Sequence, residues 1–255
     1  MQNSFLSNIP AVTKNLIIIN FIVWLAADVL GSRGIIDINS MLGLHYWISD
    51  KFNPVQLLTY MFLHGSFGHI FFNMFALFMF GVVIERFWGS KRFLIYYLVC
   101  GIGAGIVQEV VWTVEFHSLS NAFLQAINSG SIEPLQHFQQ SFTITGNVPV
   151  ERIIEFKSEL FNTFITVGAS GAVFGILLAF GWFFPHQKIY LYFLIPIPAR
   201  IFVILYGILE LFFGVANFQG DSIAHFAHLG GLLFGLILIL LWRKKTTDID
   251  NFNGY

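Results

Sequence analysis

Long uninterrupted apolar runs constrain this chain more than any other feature. NLIIINFIVWLAADVL, IFFNMFALFMFGVVI and FLIYYLVCGIGAGIVQEVVW each approach the ~20 residues a helix needs to cross a hydrocarbon core ~30 Å thick. No water is present there to pair with exposed backbone groups, so a run of that length must be a helix that satisfies its own amides. The simplest parse has six spans, near residues 14–31, 66–86, 92–112, 168–184, 199–216 and 224–242. The expected fold is therefore all-α: one polytopic six-helix membrane domain over residues 1–255, with the lipid bilayer as its surroundings. Only 11% of residues are charged, against ~25% in a soluble domain. A net charge of −1 gives no sign of a nucleic-acid partner. Cys100 is the single cysteine, which excludes an intrachain disulfide.

Orientation follows from the basic residues. Lys14, Arg86, Lys91, Arg92, Lys188, Arg200, Arg243, Lys244 and Lys245 fall on one face, and Arg33, Lys51, Arg152 and Lys157 on the other. The richer face should be cytoplasmic, placing both termini inside, with a bacterial inner membrane as the expected setting. The first apolar run follows Lys14 and lacks a small-residue cleavage pattern, so it reads as a retained span rather than a signal peptide. Two connections on the other face are long. Within 32–65, Pro54 to Leu63 is too short to span and could lie in the interface. Within 113–167, VERIIEFKSELFNTF predicts an amphipathic helix with Val150, Ile153, Ile154, Leu160, Phe161 and Phe164 on one face.

Polar residues inside spans are costly and mark function by default. His69 and Asn73 in span two, Ser170 in span four and His228 in span six lie roughly 18–24 Å above their cytoplasmic ends at ~1.5 Å per residue. Three helices thus bring polar groups to one depth. Gly171-x-x-x-Gly175 and Gly231-x-x-x-Gly235 clear two helix faces for close approach, and Ser170 and His228 occupy equivalent places beside them. A serine hydroxyl needs such a base to become a nucleophile. His69 and Asn73 share a face at i, i+4; with the Ser170 amide, in a first turn lacking intrahelical partners, they suit an oxyanion. Each residue alone has an ordinary explanation as packing or interhelical glue; the combination is far more specific. Glu210 in span five reads as a lone, hydrogen-bonded structural carboxylate. His225 and His228 could join His69 and His64 around a metal, but no carboxylate is expected at their level and HExxH is absent. No metal and no cofactor are expected.

His69-IFF-Asn73, Gly168-Ala-Ser170-Gly171, AHFAHLGG with His228, and GVVIERFWGS resemble the rhomboid intramembrane serine proteases, over most of the chain. The resemblance implies a six-helix bundle around a water-filled cavity. It also implies Ser170 as nucleophile, His228 as general base, and His69, Asn73 and the Ser170 amide as oxyanion donors. The implied partners are transmembrane protein substrates. His64 matches a position often held by a structural His. Phe174 stands where some members stack a Tyr on the base, and His45–Trp47 matches the family's Trp-Arg loop only loosely. Span five and Asn217–Ser222 are the implied moving parts. With no third acidic member expected at that depth, the reading is a Ser-His dyad. The rivals are a non-cleaving binder of transmembrane segments and, less favoured, a transporter. A non-cleaving relative would typically lack the Ser or the His, which this chain keeps; a transporter would be expected to carry inverted repeats, which this chain lacks.

Overall fold

The computed structural model describes residues 8–138, 148–191, 194–216 and 224–252. The first long helix, α1 (Ala11–Ser32), is followed by a short α2 (Ile38–Leu42), the strand β1 (Leu44–His45) and α3 (Gln56–Thr59), which runs into a 3-10 turn over Tyr60–Phe62. Then α4 (Phe67–Ala76), a π-type turn (Leu77–Gly81) and α5 (Val82–Trp88) form one continuous span. The longest fully described apolar helix is α6 (Ser90–Glu115), which leads to α7 (His117–Ser129), a 3-10 turn over Glu133–Phe138, and α8 (Val150–Phe161). After β2 (Ile165–Thr166) come α9 (Ser170–Phe183), the hairpin β3 (Lys188–Leu191) with β4 (Ile195–Pro198), α10 (Ala199–Ala216) and α11 (His225–Phe252).

This is an all-α polytopic membrane bundle. Among the described residues, five helices are long and apolar enough to cross a membrane; α9, at 14 residues, is shorter. At ~1.5 Å per residue it covers only ~21 Å. Residues Gly171 to Leu177 and Ala179 to Gly181 of α9 are buried, packed against α6, α10 and α11. A helix enclosed by protein need not match the bilayer, and irregular backbone is tolerated at its ends because neighbours satisfy it. Gly168, just before α9, shows how: its N–H donates to the Tyr60 carbonyl at 2.9 Å. Conversely, the apolar windows of α1 and α10 are only 17% buried, against 50% for α6, which ranks them as the peripheral, lipid-facing helices.

Glu85 explains part of the GVVIERFWGS motif. Its buried carboxylate accepts from the Val12 and Thr13 amides at 3.0 and 2.7 Å, and from the Thr13 and Ser90 hydroxyls at 2.7 Å. A negative group thus satisfies the first-turn amides of α1, where the helix dipole favours it. Gly89, at φ +80°, then allows the sharp reversal into α6.

One expectation is sharpened and one needs correction. Pro54–Leu63 does not span; it packs against the bundle on one side while Val55 and Leu58 stay exposed on the other. Its α3 and 3-10 turn bury Tyr60, Met61 and Leu63, and the Tyr60 hydroxyl donates to the Gly101 carbonyl at 2.6 Å. Aromatic and Met side chains complementary to the small residues of α6 draw the segment into the bundle. The amphipathic helix at 150–161 is present, with Ile153 and Phe161 buried, but Ile154 is 49% exposed. Phe156 packs inward instead, because the face turned to α7 is rotated from the one the hydrophobic pattern implied. The β3–β4 hairpin answers to no sequence expectation.

Candidate active site

Ser170 opens α9 and therefore stands in its first turn, where the amides have no intrahelical acceptor. His228 lies in the first turn of α11. Their contact is direct: Ser170 Oγ and His228 Nε2 are 2.8 Å apart. Glycine makes this closeness possible. A Cβ on Gly231 would sit 1.9 Å from the Gly171 carbonyl oxygen, and one on Gly175 would lie 3.2 Å from the Gly231 carbonyl. The two glycine pairs also admit a third helix. A Cβ on Gly171 would strike the Ala104 methyl at 2.3 Å, one on Gly175 the Cys100 sulfur at 2.5 Å, and one on Gly235 the Tyr96 hydroxyl at 2.5 Å. Thus α6 wedges against both partners, and Tyr96 locks α9 by donating to the Gly175 carbonyl at 2.8 Å.

The His228 ring is held on its face by Phe174, with centroids 4.3 Å apart and planes 9° apart. Phe174 in turn touches Tyr206 of α10. The stack needs only a ring, so the missing hydroxyl of a Tyr costs nothing in this contact.

His69 reaches the site through a different gap. Gly168 has φ +136°, a backbone conformation that side chains rarely adopt, and a Cβ there would be 2.8 Å from His69 Nε2 and 3.6 Å from Ser170 Oγ. The glycine two residues before the serine is thus required twice, for its dihedral and for room. Asn73, one turn on, is buried, and its Nδ2 donates to the His69 carbonyl at 3.1 Å. Ser66 caps this helix by accepting from the His69 amide at 3.2 Å. His64 is buried edge-on against the His69 ring, 4.9 Å between centroids. Burial first, and then His69 beside it, pushes its imidazole down to about 3, so it is neutral at ordinary pH.

The largest departure from expectation is Glu210. It is neither alone nor off the level of the histidines. Its Oε2 lies 2.9 Å from His228 Nδ1 and 2.6 Å from His225 Nδ1. Counting residues from a helix end estimates depth alone; the signal that could have found the rotation is Gly207 and Gly214, which share a helical face with Glu210 and meet Leu232, His225 and Phe226 of α11. A three-residue Glu-His-His group therefore exists where no carboxylate was expected. Its donor atoms lie within 4.8 Å of one another, but Glu210 does not join His64 and His69 to them in one cluster. The two short contacts are those of a carboxylate accepting from two imidazoles. Asn217–Ser222 lies outside the described residues, and His45 is tied to the Ser40 carbonyl at 2.7 Å, away from this group.

Residues 51–245 match the Rhomboid domain, and the chain belongs to the rhomboid family. It is 29% identical over 209 residues to RHOMBOID-like protein 12, mitochondrial, of Arabidopsis thaliana, covering 81% of this chain and 51% of that one. It is 29% identical over 181 residues to Rhomboid protease GluP of Bacillus subtilis, covering 71% of this chain and 24% of the relative. Over 197 residues it is 26% identical to Rhomboid protease AarA of Providencia stuartii, covering 71% and 53%. The chain thus spans about half the length, or less, of these relatives. Two of the three are proteases by name, which supports a protease at the level of the family. Mitochondrial relatives stand beside bacterial ones, so a membrane setting is supported while the expected bacterial inner membrane is doubtful.

Proposed function

We propose that this chain is an intramembrane serine endopeptidase that cuts transmembrane segments of other proteins. The observation that carries the reading is the 2.8 Å contact between Ser170 Oγ and His228 Nε2, made by two residues whose helices touch backbone to backbone. A substrate helix approaches from the bilayer, unwinds locally and presents an extended segment, because a helical carbonyl is already hydrogen-bonded and shielded. Segments with helix-destabilising and small residues are therefore favoured. Ser170 Oγ attacks the carbonyl carbon as His228 Nε2 takes its proton. The oxyanion is held by the Ser170 amide, by His69, and by the second amide proton of Asn73, whose first is spent on its own helix. His228 then passes its proton to the leaving amine, and water resolves the acyl-enzyme. The same reading keeps both termini on the Lys/Arg-rich side of the bilayer. Gly171, Gly175, Gly231 and Gly235 serve it by holding α9 and α11 together.

The test is cleavage of a transmembrane reporter in liposomes, with fluorophosphonate labelling read alongside. Wild-type protein cleaves and labels, and Ser170→Ala loses both, by roughly 10⁴-fold or more in kcat. Unaltered cleavage by the Ser170→Ala protein would overturn the reading.

A further inference from the structure

We propose that Glu210 is a positioning residue for His228, so that the reactive group is a Ser170–His228–Glu210 chain, with His225 anchoring the carboxylate. The inference rests on the serine-protease reading above and deepens it.

The argument starts from one oxygen. Glu210 Oε2 meets two imidazole Nδ1 atoms, at 2.6 Å from His225 and 2.9 Å from His228. An ionised carboxylate accepts and cannot donate, so both Nδ1 atoms must carry protons for both contacts to be hydrogen bonds. A neutral imidazole protonated on Nδ1 has a bare Nε2. On His228 that nitrogen faces Ser170 Oγ at 2.8 Å. Glu210 thus selects the tautomer that lets His228 accept the serine proton, and the alternative tautomer would set an Nε2–H against the hydroxyl.

Burial sharpens the selection. Glu210, His225 and His228 are 5%, 8% and 9% exposed, so water cannot readily replace either bond, and an unpaired charge there would be costly. His225 fits a role of its own. It lies one turn before His228 on the same helix, stacks on Phe213 with centroids 5.6 Å apart, and makes the shorter of the two bonds. With Phe174 on the face of His228, each imidazole is held by a ring on its face and a carboxylate at its edge. Glu210 is therefore pinned by one histidine in order to orient the other.

The proton count closes without a proton reaching Glu210. Ser170 loses its proton to His228 Nε2 as the C–O bond forms. The resulting imidazolium already points Nδ1–H at the carboxylate, so the new positive charge is paired where it arises. Collapse returns the Nε2 proton to the leaving amine, and His228 reverts to the Nδ1–H form.

Two measurements test the assignment. The first is ¹⁵N NMR of protein labelled at histidine rings and reconstituted in bicelles, with His228 assigned by comparison with His228→Ala. Wild type should give a protonated Nδ1 and an unprotonated Nε2. Glu210→Gln, which can donate as well as accept, should give a mixture. This readout does not depend on cleavage, so it separates failure of the positioning role from failure of the protease reading. The second is steady-state cleavage of a transmembrane reporter. Glu210→Gln should lower kcat by roughly 10²–10⁴-fold, by analogy with a triad whose carboxylate is amidated, with KM within about threefold. Glu210→Asp should recover part of the loss, and His225→Phe should cost less than Glu210→Gln. An Nε2–H tautomer in wild type, or a Glu210→Gln kcat within threefold of wild type in protein that still needs Ser170, would overturn the proposal. So would stoichiometric metal that co-purifies with wild type and is lost in Glu210→Gln, because a metal would occupy the Nδ1 lone pairs. Cleavage independent of Ser170 would instead defeat the protease reading itself.

Discussion

The centre of the bundle and the lobe that precedes α9 are both well packed, but by opposite means. Where α6, α9 and α11 meet, glycines set the fit: Gly171, Gly175 and Gly231 bring two backbones together, while Gly175 and Gly235 leave room for Cys100 and Tyr96 of α6. In the lobe, Tyr46, Trp112, Phe123, Leu135, Ile153 and Phe161 form a separate aromatic-rich core between the end of α6, α7 and α8. The difference reflects the solvent each region faces. Apolar side chains gain little by leaving lipid for protein, so helices in a bilayer associate through close packing and polar contacts. The lobe carries Glu151, Arg152, Glu155 and Glu159 on the exposed side of α8, and in water the burial of large side chains drives association. The lobe is also tied to the rest by polar links, Ser158 with Asp50 and Ser49 with Asn162, and by β1 pairing with β2.

The contrast can be broken from either side. The largest effect should come from Gly231→Val. The obstacle is the Gly171 carbonyl, a backbone atom with no rotamer to change, so α9 and α11 must part. Expected outcomes are loss of the cooperative melt and of active-site labelling; a variant that melts like wild type would show that the backbones are not in contact. Phe123→Ala, at a fully buried lobe position, should cost ~3–5 kcal/mol locally. Hydrogen exchange should rise across α7 and α8 while protection of α9 and α11 stays unchanged. Equal loss in both regions would mean the two cores fold as one.

Polar groups sharpen the same comparison at smaller amplitude. His64, beside His69, is held down at about 3 by the fold and reverts to about 6.5 when unfolded. Between those values the unfolded chain binds the proton and the folded one does not, so stability should fall as pH drops from 6.5 toward 3. The slope is at most ~1.4 kcal/mol per pH unit. Melting temperature against pH should be flatter for His64→Gln than for wild type, and equal slopes would remove His64 from the account. The smallest effect belongs to the lobe. Arg152, paired with Glu155 and Glu159 through side chains 57–63% exposed, should tolerate Arg152→Ala with no measurable change in melting, because screened surface pairs contribute little.

The Ser170–His228 contact was legible because small residues four apart and polar groups at one depth both leave marks in the sequence. The inward face of α8 was half legible: Ile153 and Phe161 were read correctly, while Ile154 and Phe156 exchanged places, a rotation that periodicity alone cannot resolve. Glu210 was misread for a different reason. Gly207 and Gly214 mark the face on which Glu210 lies, but depth counting ignored them, and its partners are set by how α10 docks on α11.

By itself the sequence determined that this chain lives in a bilayer as a helical bundle, because a hydrocarbon solvent leaves long apolar runs no other way to satisfy their backbones. It also determined which helices must touch, because only glycine permits backbone contact. Only the tertiary structure decided that α9 sits enclosed and short of a full span, that His69 packs against Gly168 close to the serine, and that Glu210 meets both His225 and His228. Each of these depends on helix rotation and offset between distant segments, quantities set by side-chain packing across the bundle rather than by any local run of residues.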